Sequence, residues 1–272
     1  MSPAADRPIA MFDSGFGGLT VARALIDLAP NEDVVYFGDT GRYPYGPRPH
    51  DDVRRYAHQI TEWIVETHDP KVVVVACNTA TAVALHELQA VVDVPVIGVV
   101  EPGLRSVLAV TETDRVGVIG TVGTIASGAY QRAAADQAPR VDLTCAACPG
   151  FVEFVERGET DSEQVRVLAQ RLLAPVVDAK VDALLLGCTH YPFLARTIGE
   201  VMGRDVVLVS SADETAFAVV RALDETGVAT TRTRPGDHTF VSTGDVETFA
   251  RLGSRLLGPE LDAVVAHRWD TA

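Results

Sequence analysis

Val73-Val-Val-Ala-Cys77-Asn-Thr79 is echoed later in the chain by Leu184-Leu-Leu-Gly-Cys188-Thr-His190, and the fold is read from these two stretches outward. Each is an apolar run closed by a small residue, a thiol and two polar residues. An apolar run with no polar alternation suits a parallel strand covered by helices on both faces. Similar strand-length runs occur at Pro8–Phe12, Val34–Phe37, Val72–Ala76, Val94–Val99, Arg115–Ile119, Ala183–Leu186 and Val206–Val209. Between them, Arg54–Glu66, Ala80–Val91 and Glu163–Val177 carry apolar residues at helical spacing. Strand alternating with helix predicts a doubly wound α/β fold.

A looser echo pairs Ile9-Ala-Met-Phe-Asp13-Ser14-Gly-Phe-Gly-Gly18 with Val116-Gly-Val-Ile-Gly-Thr-Val-Gly-Thr124. Gly-rich βα turns are common, so this pair reads equally well as generic. The cysteine pair does not, because no strand needs a thiol to end it. The expectation is two pseudo-symmetric doubly wound parallel-sheet domains with the active site between them. Residues 1–99 plus 212–272 would form the first and 100–211 the second.

The 272 residues carry a net charge of −14, which repels phosphate backbones, and no basic patch offsets it, so no nucleic-acid partner is expected. Apolar runs are broken well before the ~20 residues of a membrane span, so no membrane contact is expected either. Met1–Arg7 lacks the basic and apolar regions of a secretory signal, which makes the cytoplasm the expected location. The four cysteines are too few for a disulfide scaffold in a chain of this length. Cys145 and Cys148 have CxxC spacing, but no second pair completes a zinc site, and no metal is expected.

Ligands of open parallel sheets bind beyond the carboxyl ends of the strands, where Cys77 and Cys188 both fall. Asn78 and Thr79 follow the first thiol, Thr189 and His190 the second; hydroxyls and N–H groups at a helix start suit a carboxylate. The same setting is expected to pull each thiol below its free pKa of about 8.5. Two thiols facing one ligand from opposite sides suit inversion of a stereocentre: one removes a proton, the other returns one to the far face. Asp13 and Ser14 follow the first strand, and Asp13 is read as a holder of substrate ammonium, a tuner of Cys77 or a helix cap. Tyr43-Pro44-Tyr45-Gly46 reads as a stiff loop with an exposed Tyr, able to close over a ligand or to serve as a surface turn. His190 is placed to poise Cys188 or to relay its proton, or to fill a capping or core role.

At these residues the chain resembles the glutamate racemase family, within the broader aspartate/glutamate racemase group. The resemblance is carried by Phe12-Asp-Ser-Gly-Phe-Gly-Gly-Leu-Thr-Val21, Tyr36-Phe-Gly-Asp39, Pro44-Tyr-Gly46, Ala76-Cys-Asn-Thr-Ala80, Gly187-Cys-Thr-His-Tyr-Pro192 and Ser242-Thr-Gly-Asp245. It implies that Cys77 and Cys188 are the acid/base pair, with Asp13, Ser14, Tyr45, Gly46, Asn78, Thr79, Thr189 and His190 around the substrate. It further implies interconversion of L- and D-glutamate without cofactor or metal, supply of D-glutamate to peptidoglycan, and a homodimer. Some relatives restrain DNA gyrase, and no motif here bears on that. The segment Gly150-Phe-Val-Glu-Phe-Val-Glu156 departs from a pattern in which Pro often stands in place of Glu153, so neither Glu153 nor Glu156 is assigned a role.

Rival readings are an aspartate or other amino-acid racemase of the same group, a pyridoxal phosphate racemase, a cysteine hydrolase and a non-catalytic two-lobed amino-acid binding protein. The pyridoxal reading needs a lysine in the site, and the only two, Lys71 and Lys180, stand just before strands, at the end of the sheet away from the ligand. A hydrolase leaves the second matched thiol unexplained.

Overall fold

The computed structural model describes residues 4–261 and 263–269; the ends of the expected first domain at 1–3 and 270–272, and residue 262, lie outside them. Among the described residues ten strands form: β1 (Ile9–Asp13), β2 (Val34–Gly38), β3 (Val72–Val75), β4 (Val96–Gly98), β5 (Arg115–Gly120), β6 (Asp142–Ala147), β7 (Ala183–Gly187), β8 (Val207–Val209), β9 (His238–Ser242) and β10 (Val265–Ala266). They make two sheets, one in the order β10-β9-β2-β1-β3-β4 and one in the order β6-β5-β7-β8. Every pairing is parallel.

The two orders expose the repeat. The run β2-β1-β3-β4 has the same connectivity as β6-β5-β7-β8, so β3 and β7, the strands that lead to Cys77 and Cys188, hold equivalent places. Strands β9 and β10 are additions on the β2 side. The α/β class and the two parallel sheets are as expected.

Residue alternation explains why β3 and β7, and β1 up to its final Asp13, are apolar. Ile9 and Met11 enter one core cluster, while Ala10 and Phe12 enter the cluster on the opposite face. In the second sheet, Leu184 and Leu186 face one cluster and Ala183 and Leu185 the other. Both faces are covered by helices, so a polar residue on either would lose water without gaining a partner. The helix Ala212–Thr226 puts Ala216, Val219 and Leu223 into the core of the first sheet, so the chain has returned there after β8.

Three strands escape the sequence reading. β6 is an edge strand beginning with exposed Asp142 and half-buried Leu143, Thr144 and Cys145, so it lacks the all-apolar signature. β9 opens on half-buried His238 and Thr239, and β10 has only two residues, both exposed. Helix His50–His68 starts before the expected Arg54, with Asp51 and Asp52 in its first turn, where the helix dipole favours acids.

Candidate active site

Cys77 lies just beyond β3 and is the N-cap residue of helix Asn78–Val91. Cys188 directly follows Gly187 at the end of β7, but the chain there makes a 3-10 turn, Tyr191–Leu194, before helix Ala195–Met202 begins. The expected helix start is therefore present at the first thiol and replaced by a shorter turn at the second. Both cysteines are buried, at 5% and 7% exposure, and all four are free thiols.

Asp13 ends β1 beside Cys77. Its Oδ2 accepts hydrogen bonds from the N–H groups of Gly15 (3.1 Å) and Gly18 (3.2 Å), which pins the turn into helix Leu19–Leu28. The Cys77 thiol acts on the same carboxylate, opposing the rise in its pKa. Asp13 Oδ1 is buried and has no partner in the protein, as is Oδ1 of Asn78. Ser14 is buried and favours the charged form of Cys77.

Loops from the two sheets interlock around these residues. A β-carbon on Gly17 would lie 2.5 Å from Thr189 Oγ1 and 2.6 Å from the His190 ring, so only glycine permits this approach. Asn78 Nδ2 donates to the Tyr130 hydroxyl at 2.9 Å, and Thr79 Oγ1 lies 3.0 Å from Thr121 Oγ1 and 3.1 Å from Thr124 Oγ1. Gly123 N donates to Gly46 O at 2.8 Å. Residues flanking Cys77 are thereby tied to the sheet that carries Cys188.

The thiols do not have the lowered pKa expected of them. Burial pushes Cys77 up to about 12, the charge of Asp13 adds to this, and hydrogen bonds from Ala80 and Ser14 only partly oppose it. Burial also pushes Cys188 up, with Cys77 and Asp13 contributing in the same direction. Desolvation outweighs the helix start because it acts on the whole charge, whereas one turn contributes a partial one. Asp13 itself is raised by burial, against the pull of the Gly18, Gly15 and Ser14 N–H groups.

His190 is 2% exposed, and burial lowers it to about 4, so its imidazole is neutral. Its ring packs on Phe16 (5.2 Å between centroids) and Tyr43 (5.9 Å), and Nε2 stands 3.9 Å from Glu156 Oε1. Burial lifts Glu156 to about 7, with Glu153 adding to the rise and Tyr43 opposing it. Tyr43 and Glu156 were left without a role in the sequence reading. Helical position alone does not show which of Glu153 and Glu156 faces inward.

Neither tyrosine of the Tyr43–Gly46 loop is exposed as expected: Tyr43 is half-buried, and Tyr45 is 1% exposed with its hydroxyl donating to Asp39. Tyr43 is the loop tyrosine that meets His190. Between Pro44, Gly46, Thr121, Cys148, Glu153 and Tyr191 lies a cavity of about 60 Å³. Among the described residues no group of three or more His, Cys, Asp and Glu side chains could hold a metal ion, and no helix is long and apolar enough to cross a membrane. Lys71, just before β3, is paired with Glu32 at 2.5 Å.

Two parallel sheets that share a four-strand connectivity, with a thiol at matched strand ends and loops interlocked between them, make a two-sheet α/β architecture with a paired-thiol site. The Asp/Glu/Hydantoin racemase family model matches residues 19–233. Glutamate racemase from Acidothermus cellulolyticus is 49% identical over 258 residues, covering 94% of this chain and 97% of that protein. The crystal structure of a glutamate racemase from Bacillus anthracis superposes with a TM-score of 0.90 at 38% identity over 97% of each chain. That of glutamate racemase from Francisella tularensis in complex with D-glutamate gives 0.89 at 31% identity over 98% of each. The chain belongs to the Asp/Glu/Hydantoin racemase family and, within it, to the glutamate racemases; it is an isomerase.

Proposed function

We propose that the protein interconverts L- and D-glutamate by a two-base mechanism in which Cys77 and Cys188 face opposite sides of the substrate α-carbon. The observation that carries this is the equivalence of β3 and β7, which puts the two thiols at matching strand ends of interlocked lobes. One cysteine, as thiolate, takes the α-proton; the other, as thiol, gives its proton to the opposite face. The carbanion closes with inverted configuration and the two sulfurs have exchanged roles, so the reverse reaction starts from the product state.

The raised thiol pKa values describe the protein alone. A substrate ammonium beside Asp13 and the thiols brings a positive charge into a poorly hydrated site, where it favours the thiolate. The unpartnered Oδ1 atoms of Asp13 and Asn78 are acceptors suited to its N–H groups. Neutral His190, with Thr189 and Thr79, supplies donors suited to carboxylates, and Ser14, Tyr45 and Gly46 complete the surround. The likeness to glutamate racemases sets glutamate ahead of aspartate as substrate. We assign the first domain to 1–99 plus 212–272 and the second to 100–211, and place the protein in the cytoplasm as a homodimer supplying D-glutamate for peptidoglycan.

The test is incubation of purified protein, with no added cofactor, with L-glutamate in deuterated water. D-glutamate carrying an α-deuterium is the expected product, and Cys77→Ser and Cys188→Ser each abolish its formation while retaining glutamate binding. Racemisation surviving either substitution overturns the two-base reading; binding without any racemisation by the unaltered protein supports the binding-protein alternative.

A further inference from the structure

The chain beyond β9 reaches back to the loop that closes the site. β10 pairs with β9, His267 N donates to Ser242 O at 2.8 Å, and the chain then lays Trp269 against Arg42. The Arg42 guanidinium is sandwiched, 4.3 Å from the Trp269 ring centroid and 4.2 Å from that of Tyr56. Trp269 Nε1 donates to Asp39 Oδ1 at 3.1 Å.

Asp39 is fully buried and gathers three more donors: Arg42 Nε at 2.7 Å, Thr243 Oγ1 at 2.8 Å and the Tyr45 hydroxyl. It opens the loop that carries Tyr43, Tyr45 and Gly46. The far end of that loop is held by the other lobe, through Gly123 N on Gly46 O and the Tyr43 ring on His190. One short loop is therefore gripped by the C-terminal segment on one side and by the Cys188 lobe on the other.

We propose that Trp269 is a positioning residue for the substrate: by capping Asp39 and stacking on Arg42 it fixes where Tyr45 and Gly46 stand. The inference rests on the racemase reading of the site. A buried carboxylate holds its neighbours rigidly only while its donors are in place; without Trp269, Oδ1 keeps Thr243 as its one side-chain donor, and the loop loses one of its charge-assisted ties. Mere cover for the β9 edge would use only the ring, which also packs 5.7 Å from Phe37 and 4.6 Å from His267. The N–H on Asp39 is what distinguishes the two roles.

Trp269→Phe keeps an aromatic face and removes the N–H; Trp269→Ala removes both. KM and kcat for both glutamate enantiomers, melting temperature, and amide exchange over residues 39–48 are measured on each variant. KM is expected to rise about threefold in Trp269→Phe and about tenfold in Trp269→Ala with kcat changing far less, as expected for a lost hydrogen bond to a charged group plus a cation–π contact. Exchange over 39–48 accelerates while the amides of β5 and β7 keep their protection. An unchanged KM and unchanged exchange over 39–48, with only the melting temperature lowered, overturns the proposal in favour of edge cover. Absence of racemisation in the unaltered protein overturns the racemase reading instead, and the exchange data still decide whether Trp269 holds the loop.

Discussion

Gly17 of the first lobe stands against Thr189 of the second so closely that a β-carbon would lie 2.5 Å from Thr189 Oγ1. Gly17→Ala must displace Thr189 and the buried His190, the two residues that follow Cys188. Overpacking of this kind costs about 1–3 kcal/mol. The strain falls on the seam beside Cys188, so kcat/KM is expected to fall by about tenfold or more, with the melting temperature lowered by about 2–12 °C. Equal kcat/KM in Gly17→Ala and the unaltered protein would show that the seam tolerates a methyl group.

Glu156 gives stability a pH dependence opposite to that of most carboxylates. Its folded pKa of about 7 lies above the ordinary glutamate value of about 4.5, so between these the folded state holds more protons than the unfolded one. Stability from this group is complete below about 4.5 and declines as pH rises to about 7, where the buried side chain must carry its charge. Glu156→Gln is expected to melt higher than the unaltered protein at pH 8 and to approach it at pH 4.5. Thermal melts across that range check the slope; an equal difference at both ends would refute it.

Most strands legible in the sequence have residues buried on both faces, since continuous burial writes itself as continuous Val, Ile and Leu; edge strand β8 was legible from its apolar run although Val207 is exposed and Leu208 and Val209 are half-buried. β6 and β9 were hidden by polar residues that an edge or a strand start tolerates, and β10 by its two-residue length. The thiols stood out because two βα units had the same unusual residue at the same place. The pKa values of those thiols were not legible: the sequence displays the helix start next to Cys77 but not the tertiary packing that removes water from it. The same holds for Tyr45, whose hydroxyl meets Asp39, and for Trp269, whose partner is remote in the chain. A side chain's direction within a loop is decided by contacts far away in sequence, which no local pattern records.

Asp182 behaves in the ordinary acidic sense. It accepts from Thr111 Oγ1 at 2.6 Å, Glu112 N at 2.7 Å and Thr113 N at 2.8 Å, clamping the segment before β5 to the start of β7. Burial raises its pKa, but the hydrogen bonds from Thr111, Glu112 and Thr113 together outweigh this and hold it down to about 2. A depressed carboxylate contributes stability above its unfolded pKa of about 3.8 and loses it as pH falls to about 2. Asp182→Asn should therefore lower the melting temperature at pH 6 and lose most of that difference by pH 2.5. Acid titration of both proteins, followed by circular dichroism, would show converging curves; parallel ones would contradict the clamp.

Lys71 provides the sharpest separation between stability and catalysis. Its ammonium is 1% exposed, pairs with Glu32 at 2.5 Å and donates to the carbonyls of Ala5 (2.8 Å) and Val228 (3.1 Å), all at the N-terminal end of β3. Cys77 lies at the opposite end of that strand. Lys71→Met leaves a buried carboxylate without its counter-charge, a loss of about 3–5 kcal/mol, whereas Lys71→Met with Glu32→Leu removes both charges and recovers most of it. Urea unfolding is expected to show that order, and kcat at 25 °C should stay within about twofold in every variant that remains folded. Collapse of kcat in the stable double variant would mean that this lysine takes part in the chemistry, as a cofactor-bearing lysine would, and would undermine the thiol mechanism itself.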